Sequence, residues 1–184
     1  MWLIDSDGAN PRQILEGNGL TRWLPDGSGL VYLSPKNQML LYRLPNGTSR
    51  EISAQPDVVS MPNVSADGQW IVYQATSKDA GNVDAHAVRV DGGHPRLVVS
   101  TARQDFHPFF SPSGRWVYSQ PDHKNLYRVP GPAQDWKQAD AVKVTDFPES
   151  GLFLEDPQIS RDGQQLLYSH GKITGDIWIL KRGK

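Results

Sequence analysis

The sequence predicts an all-β fold assembled from repeated units of short strands, and three observations carry that prediction. A turn phrase is written four times: Leu24-Pro25-Asp26-Gly27, Ser65-Ala66-Asp67-Gly68, Ser111-Pro112-Ser113-Gly114 and Ser160-Arg161-Asp162-Gly163. Each copy leads into a short apolar run with a tyrosine: Leu30-Val31-Tyr32, Trp70-Ile71-Val72-Tyr73, Trp116-Val117-Tyr118 and Leu166-Leu167-Tyr168. The copies recur at intervals of about 40 to 50 residues, the length of one blade of a β-propeller. Strand, tight turn and strand is a hairpin pattern. Ser or Asp at the first turn positions bonds the backbone ahead, and Gly27, Gly68, Gly114 and Gly163 supply the positive φ that reverses the chain.

Composition agrees. With 17 Gly and 14 Pro among 184 residues there are many corners, and no stretch longer than a few residues combines helical spacing of apolar positions with freedom from Gly and Pro. Nineteen basic and twenty acidic residues give a formal charge of −1, so no global field would draw in nucleic acid. No apolar run is long enough to span a bilayer, and the N-terminus lacks the basic and apolar regions of a signal peptide. Taken as complete, the chain is therefore expected to be soluble, with no membrane insertion. The absence of Cys excludes disulfides and thiolate chemistry but does not fix the compartment.

The strands can be assigned in order. Met1 to Asp5 and Arg12 to Leu15 flank a turn at Ser6 to Asn10. The pattern returns as Met39 to Leu44 followed by Ser49 to Ile52, and as Ala87 to Val90 followed by Arg96 to Val99. In the third copy Leu126 to Val129 leads into a Pro-rich loop before Ala141 to Val144. These are the outer two strands of successive blades. The innermost strands precede the turn phrases and share a proline: Met61-Pro62-Asn63-Val64, His107-Pro108-Phe109-Phe110 and Asp156-Pro157-Gln158-Ile159. Proline is poorly tolerated in a central strand and suits an edge, so these segments fit the inner rim of a propeller.

The expected organisation is about four four-stranded blades, a segment of a larger propeller. Residues 1–16 form the outer strands of an incomplete blade, residues 17–54, 55–101 and 102–147 form three blades, and residues 148–184 form a final blade without its outermost strand. Trp2 to Asp5 and Ile177 to Leu180 would compete for the same third-strand position if the ring closed. Unclosed blades leave apolar faces and an unpaired edge, which favour self-association.

The phrase Ser65-Ala66-Asp67-Gly68-Gln69-Trp70-Ile71-Val72-Tyr73, with Val90-Asp91-Gly92-Gly93 after it, resembles the TolB-type propeller repeat, also called the WD40-like or PD40 repeat. The resemblance covers nearly the whole chain, and departs at Ser113 and Leu24. It implies a β-propeller and is compatible with three functions: an envelope protein of the periplasm, a propeller attached to a hydrolase, and a sensor domain of a bacterial kinase or transcription regulator. Fold analogy does not choose among them.

Candidate site residues follow from the repeat. Asp26, Asp67 and Asp162 are turn-capping residues rather than a metal array, because turn tips on separate blades point apart. Met61, His107 and Asp156 hold equivalent places before the rim prolines and are expected to face a common channel mouth, with Asp105, Phe106 and Glu155 extending the ring. Such a cluster of His with carboxylates could hold a divalent metal or a cationic peptide group, but one imidazole among scattered acids does not specify a metal, so an ordinary polar channel lining is the expectation, with neither metal nor cofactor. His86, His94, His123 and His170 are assigned to the surface. Arg43, Arg89 and Arg128 recur on third strands, as an arc for an acidic partner or as covers for apolar surface. No Gly-x-Ser-x-Gly elbow, phosphate loop or His-Glu-x-x-His occurs. The expectation is a non-catalytic module that presents its channel mouth to a protein or peptide partner; a hydrolase or lyase using Asp105, Glu155 and Asp156 is the alternative.

Overall fold

The computed structural model describes residues 1–16, 20–44, 46–52, 58–76, 81–101, 103–121, 123–132, 141–148 and 152–172. Sixteen strands and no helix occur among them. The N-terminal pair is β1 (Trp2–Leu3) and β2 (Arg12–Gln13). The first blade contains β3 (Thr21–Trp23), β4 (Gly29–Leu33), β5 (Met39–Arg43) and β6 (Thr48–Glu51). The second contains β7 (Val58–Val64), β8 (Trp70–Thr76), β9 (Val83–Arg89) and β10 (Arg96–Val99); the third contains β11 (Asp105–Phe110), β12 (Trp116–Pro121), β13 (Tyr127–Pro130) and β14 (Val142–Lys143). The last described pair is β15 (Leu152–Ile159) and β16 (Leu166–Lys172). All neighbours within a sheet are antiparallel and follow chain order. Among the described residues no strand pairing joins β1 and β2 to β15 and β16, so the sheets form a partial propeller rather than a closed ring. The expected strand Asp176 to Leu180 and most of the Pro-rich loop before Ala141 lie outside the described residues.

The four turn phrases share one geometry. The glycine N–H donates to the carbonyl of the first turn residue in every copy: Gly27 to Leu24, Gly68 to Ser65, Gly114 to Ser111 and Gly163 to Ser160. The four glycines have φ between 69° and 75°, a region that a Cβ strongly disfavours. Ser65 and Ser160 each donate a hydroxyl to the aspartate two residues on, at 2.5 Å, and accept the N–H of the residue five positions on, Trp70 and Gln165. Asp26, Asp67 and Asp162 accept the N–H two residues ahead at 3.0 Å. These bonds hold the Asp162 carboxyl below the ordinary carboxylate range, the Ser160 hydroxyl contributing most and the Gln164 N–H next.

Packing follows the two-residue period of a strand. Ile71, Tyr73 and Ala75 on β8 turn toward the first blade and meet Val31, Leu33 and Leu41, whereas Trp70 and Val72 turn toward the third and meet Phe110, Val117 and Val129. Both faces of the second strand are thus buried, which is why these segments read as continuous apolar runs. Leu30, Tyr32 and Tyr42 close the outer face of the first blade against Met1, Ile14 and Leu15 of the N-terminal pair. The blades therefore stack face to face, and their innermost strands meet around a shared recess.

Candidate functional site: the recess between bulged inner strands

Each of the three proline-bearing inner strands breaks register at the proline. Ser60 faces Gln74 and Asn63 faces Val72, so Met61 and Pro62 together oppose one residue, Tyr73. His107 and Pro108 oppose Ser119, and Asp156 and Pro157 oppose Tyr168, in the same way. Two residues against one is a β-bulge, and the proline, which has no N–H, takes the unpaired place. The residue before it is left-handed in all three copies, with φ of 49° at Met61, 49° at His107 and 48° at Asp156. Glycine is the usual occupant of such a position; a side chain costs up to about 1–2 kcal/mol there, less for Asp and His than for Met. The side chains that bear this strain all border one recess of about 450 Å³. Asn63, Gln158 and, from the first blade, Arg22 join them.

Glutamines on the second strands tie the inner strands together. The Gln74 Oε1 accepts the backbone N–H of His107 at 3.1 Å, reaching from the second blade to the third. Gln120, at the equivalent place in the third blade and fully buried, donates its Nε2 to the Leu154 carbonyl of the fourth at 3.3 Å. Its Oε1 lies 3.1 Å from the His107 Nδ1. Asn63 adds a further link by accepting the Phe110 N–H at 3.2 Å.

The expected ring is only partly assembled. Met61, His107 and Asp156 line the recess, but Asp105 is fully buried and its carboxylate is turned back to the Thr101 N–H and hydroxyl at 2.8 and 3.2 Å. Glu155 sits just beside the recess, with its Oε2 3.9 Å from the His107 Nδ1. His123, assigned to the surface from sequence, instead comes inward. It is the left-handed residue (φ 54°) of the turn between β12 and β13, held there by its N–H to the Gln120 carbonyl. Its ring packs on Phe106 at 3.9 Å between centroids and stands edge-on to His107 at 5.0 Å, and its Nδ1 lies 3.6 Å from the Glu155 Oε1. His107, His123 and Glu155 thus form a group whose nitrogen and oxygen atoms lie within 4.8 Å of one another. A turn residue 16 positions past His107 carries no periodic mark in the sequence. The clue available in the sequence was a parallel one: Gln120-Pro121-Asp122-His123 matches Ser34-Pro35-Lys36-Asn37 of the first blade, where Asn37 is likewise left-handed.

The arginines do not form an open arc. Arg43 bonds the Ser28 hydroxyl at 2.7 Å, Arg89 pairs with Asp91 at 3.0 Å and lies over Trp70, and Arg128 lies over Trp116 at 4.5 Å. Arg128 is also two residues out of step, since Trp70 faces Arg89 whereas Trp116 faces Pro130. No helix among the described residues is long and apolar enough to cross a membrane.

Solved structures with this geometry are propellers. TolB from Acinetobacter baumannii superposes with a TM-score of 0.72 over 95% of this chain and 44% of its own, at 19% identity. The fold is a TolB-type β-propeller. An oligogalacturonate lyase solved in complex with manganese matches with a TM-score of 0.76 over 93% of this chain and 52% of its own, at 14% identity. In sequence, an uncharacterized protein of Agrobacterium fabrum (strain C58) is 28% identical over 179 residues, covering 91% of this chain and 60% of that protein. The chain thus spans about three fifths of that relative and about half of the solved propellers. No protein-family model matches the chain. The TolB-type architecture is shared by proteins of different activity, so function rests on the recess itself.

Proposed function

We propose that the chain is a non-catalytic binding module that holds a peptide or protein segment in the recess between its inner strands. The observation that supports this is the strained triad of Met61, His107 and Asp156, three non-glycine residues kept left-handed at equivalent points around one recess. Strain of this kind persists where the surrounding structure over-determines it, and it clusters at ligand-contacting positions. The bulges re-aim these side chains. The lining is mixed: a guanidinium at Arg22, a carboxylate at Asp156, amides at Asn63 and Gln158, and apolar surface from Met61 and the prolines. A peptide offers complements to all of these, with charged ends or side chains, backbone donors and acceptors, and apolar groups.

Selection of a displayed random-peptide library on the 184-residue chain tests the reading. Peptides enriched on the wild type should lose at least about tenfold in affinity, or about 1.4 kcal/mol, on Arg22→Glu and on Asp156→Lys, both conservative of the buried core. Enriched peptides that bind both variants undiminished would remove the recess as the binding site. Turnover of peptides or glycosides by the wild type, abolished in Glu155→Gln and Asp156→Asn, would establish the enzymatic alternative instead.

A further inference from the structure

We infer that His107, His123 and Glu155 form a site for a divalent transition-metal cation of the zinc class. Each residue offers one nitrogen or oxygen, and these atoms lie within 4.8 Å of one another. Glu155 stands beside both imidazoles: His123 Nδ1 is 3.6 Å from Oε1, and the His107 ring lies near Oε2, with Nδ1, the nitrogen that faces Gln120, at 3.9 Å. Tetrahedral ligands bound at 2.0–2.1 Å are separated from one another by about 3.3 Å. Glu155 is 41% exposed, so its side chain has room to turn and close the remaining gap.

The surroundings position the ligands as metal sites require. Gln120 Nε2 donates to the Leu154 carbonyl, which leaves Oε1 as the atom facing His107. An amide oxygen accepts, so His107 carries its proton on Nδ1 and its lone pair on Nε2. A histidine that gives its spare N–H to a fixed acceptor and keeps its other nitrogen for a cation is the usual outer-shell arrangement of a metal ligand. His107 is further fixed by its left-handed bulge and by the bond from its N–H to Gln74. The His123 carbonyl accepts the Leu154 N–H at 2.6 Å, so the turn carrying His123 is fastened to the strand carrying Glu155. Phe106 supports the His123 ring from one side.

The donor set selects the ion. Two imidazoles and one carboxylate match three-ligand zinc sites and the two-histidine, one-carboxylate sites of other transition metals, with open positions left for water or a ligand. Calcium and magnesium favour oxygen-rich shells that this group lacks. This inference is independent of the peptide reading, since binding of the metal alone is its measure.

The chelator-treated 184-residue chain should bind about one equivalent of Zn²⁺ with a Kd of about 10 μM or tighter, unaffected by millimolar Mg²⁺ or Ca²⁺. Co²⁺ in its place should give visible absorption bands of imidazole ligation. His123→Ala and Glu155→Gln, both at partly exposed positions, should each weaken Zn²⁺ binding at least tenfold with an unchanged far-ultraviolet circular dichroism spectrum. Gln120→Met should weaken it by about 10- to 100-fold through loss of the ring's orientation. His94→Ala and His170→Ala should leave it unchanged. In the wild type, Zn²⁺ should protect His107 and His123, but not His94, from diethyl pyrocarbonate, a readout that needs no variant to fold. Absence of stoichiometric binding, full affinity in His123→Ala and Glu155→Gln, or no protection of His107 and His123 would each overturn the assignment.

Discussion

The Ser65 hydroxyl donates to Asp67 and accepts the Trp70 N–H, so one small side chain closes a blade corner from within. Ser65 is buried, and Ser65→Ala would leave the Trp70 N–H without that acceptor. The expected cost is about 1–3 kcal/mol in urea unfolding. In the third blade Ser113 replaces the aspartate, and its hydroxyl reaches the Arg115 N–H only at 3.4 Å. Ser113→Asp should therefore stabilise the chain by about 0.5–1 kcal/mol, seen as a higher melting temperature. Gly68 and Gly163 have φ of 69° and 75°, and replacing either with Val should cost about 1–3 kcal/mol. Asp162 makes a pH-dependent contribution. Its folded-state pKa is depressed by the Ser160 hydroxyl and the Gln164 N–H, so its stabilisation is present above the unfolded carboxylate value of about 3.9 and is lost as pH falls through the lower folded value. The stability gap between wild type and Asp162→Asn should accordingly be open at pH 7 and shrink on acidification below about pH 4. A gap of constant size down to pH 2 would mean that charge is not what the turn uses.

At the scale of the element, blades adhere by alternate faces of the second strands and by the glutamines that cross between inner strands. Gln120 is the more constrained of the two glutamines, since its amide serves both the His107 ring and the Leu154 carbonyl. Gln120→Leu keeps the bulk but leaves that carbonyl without its side-chain donor, at an expected cost of about 1–3 kcal/mol. The loss should appear first as faster amide hydrogen exchange at Leu154, with exchange in the first blade unchanged. Uniform acceleration throughout the chain would show that the blades unfold as one unit. The tryptophans work differently. Trp70 is covered by the guanidiniums of Arg89 and Arg96 at 5.5 and 5.0 Å, so the third- and fourth-strand arginines shield an aromatic face from water with their planes and stems.

For the molecule as a whole, the two-stranded sheets at either end of the described array leave apolar surface exposed. Trp2 on β1 and Leu167 on β16 are 67% and 69% exposed, and Trp23 on the first blade's inner strand is 51% exposed. The 184-residue chain is expected to self-associate at micromolar concentration, with Leu167→Lys reducing the effect. Light scattering decides this: a compact monomer with cooperative unfolding at every concentration would contradict it.

Local chemistry is what a sequence states, and here it stated a great deal. Ser, Asp and Gly at fixed offsets specify their turn through bonds within six residues, so four corners, the order of the strands and the propeller class were all legible before any coordinates. The shared prolines marked the inner rim for the same reason, since a residue without an N–H must lie where pairing stops. Neither the bulge nor its left-handed residue was legible, because non-glycine residues seldom adopt that conformation and no one residue type marks the position: Met, His and Asp occupy it in turn. Asp105 and His123 show the remaining limit. Both are polar residues near His107 in sequence, and tertiary structure sent them opposite ways. Thr101 satisfied Asp105 and took it out of the recess, while a turn closing on the Gln120 carbonyl and a ring resting on Phe106 brought His123 in. Those two placements are made within the third blade and its approach, by residues 3 to 17 positions apart, whereas the bonds from Gln74 to His107 and from Gln120 to Leu154 that fix the recess join residues 33 and 34 positions apart, whose partnership no local pattern records.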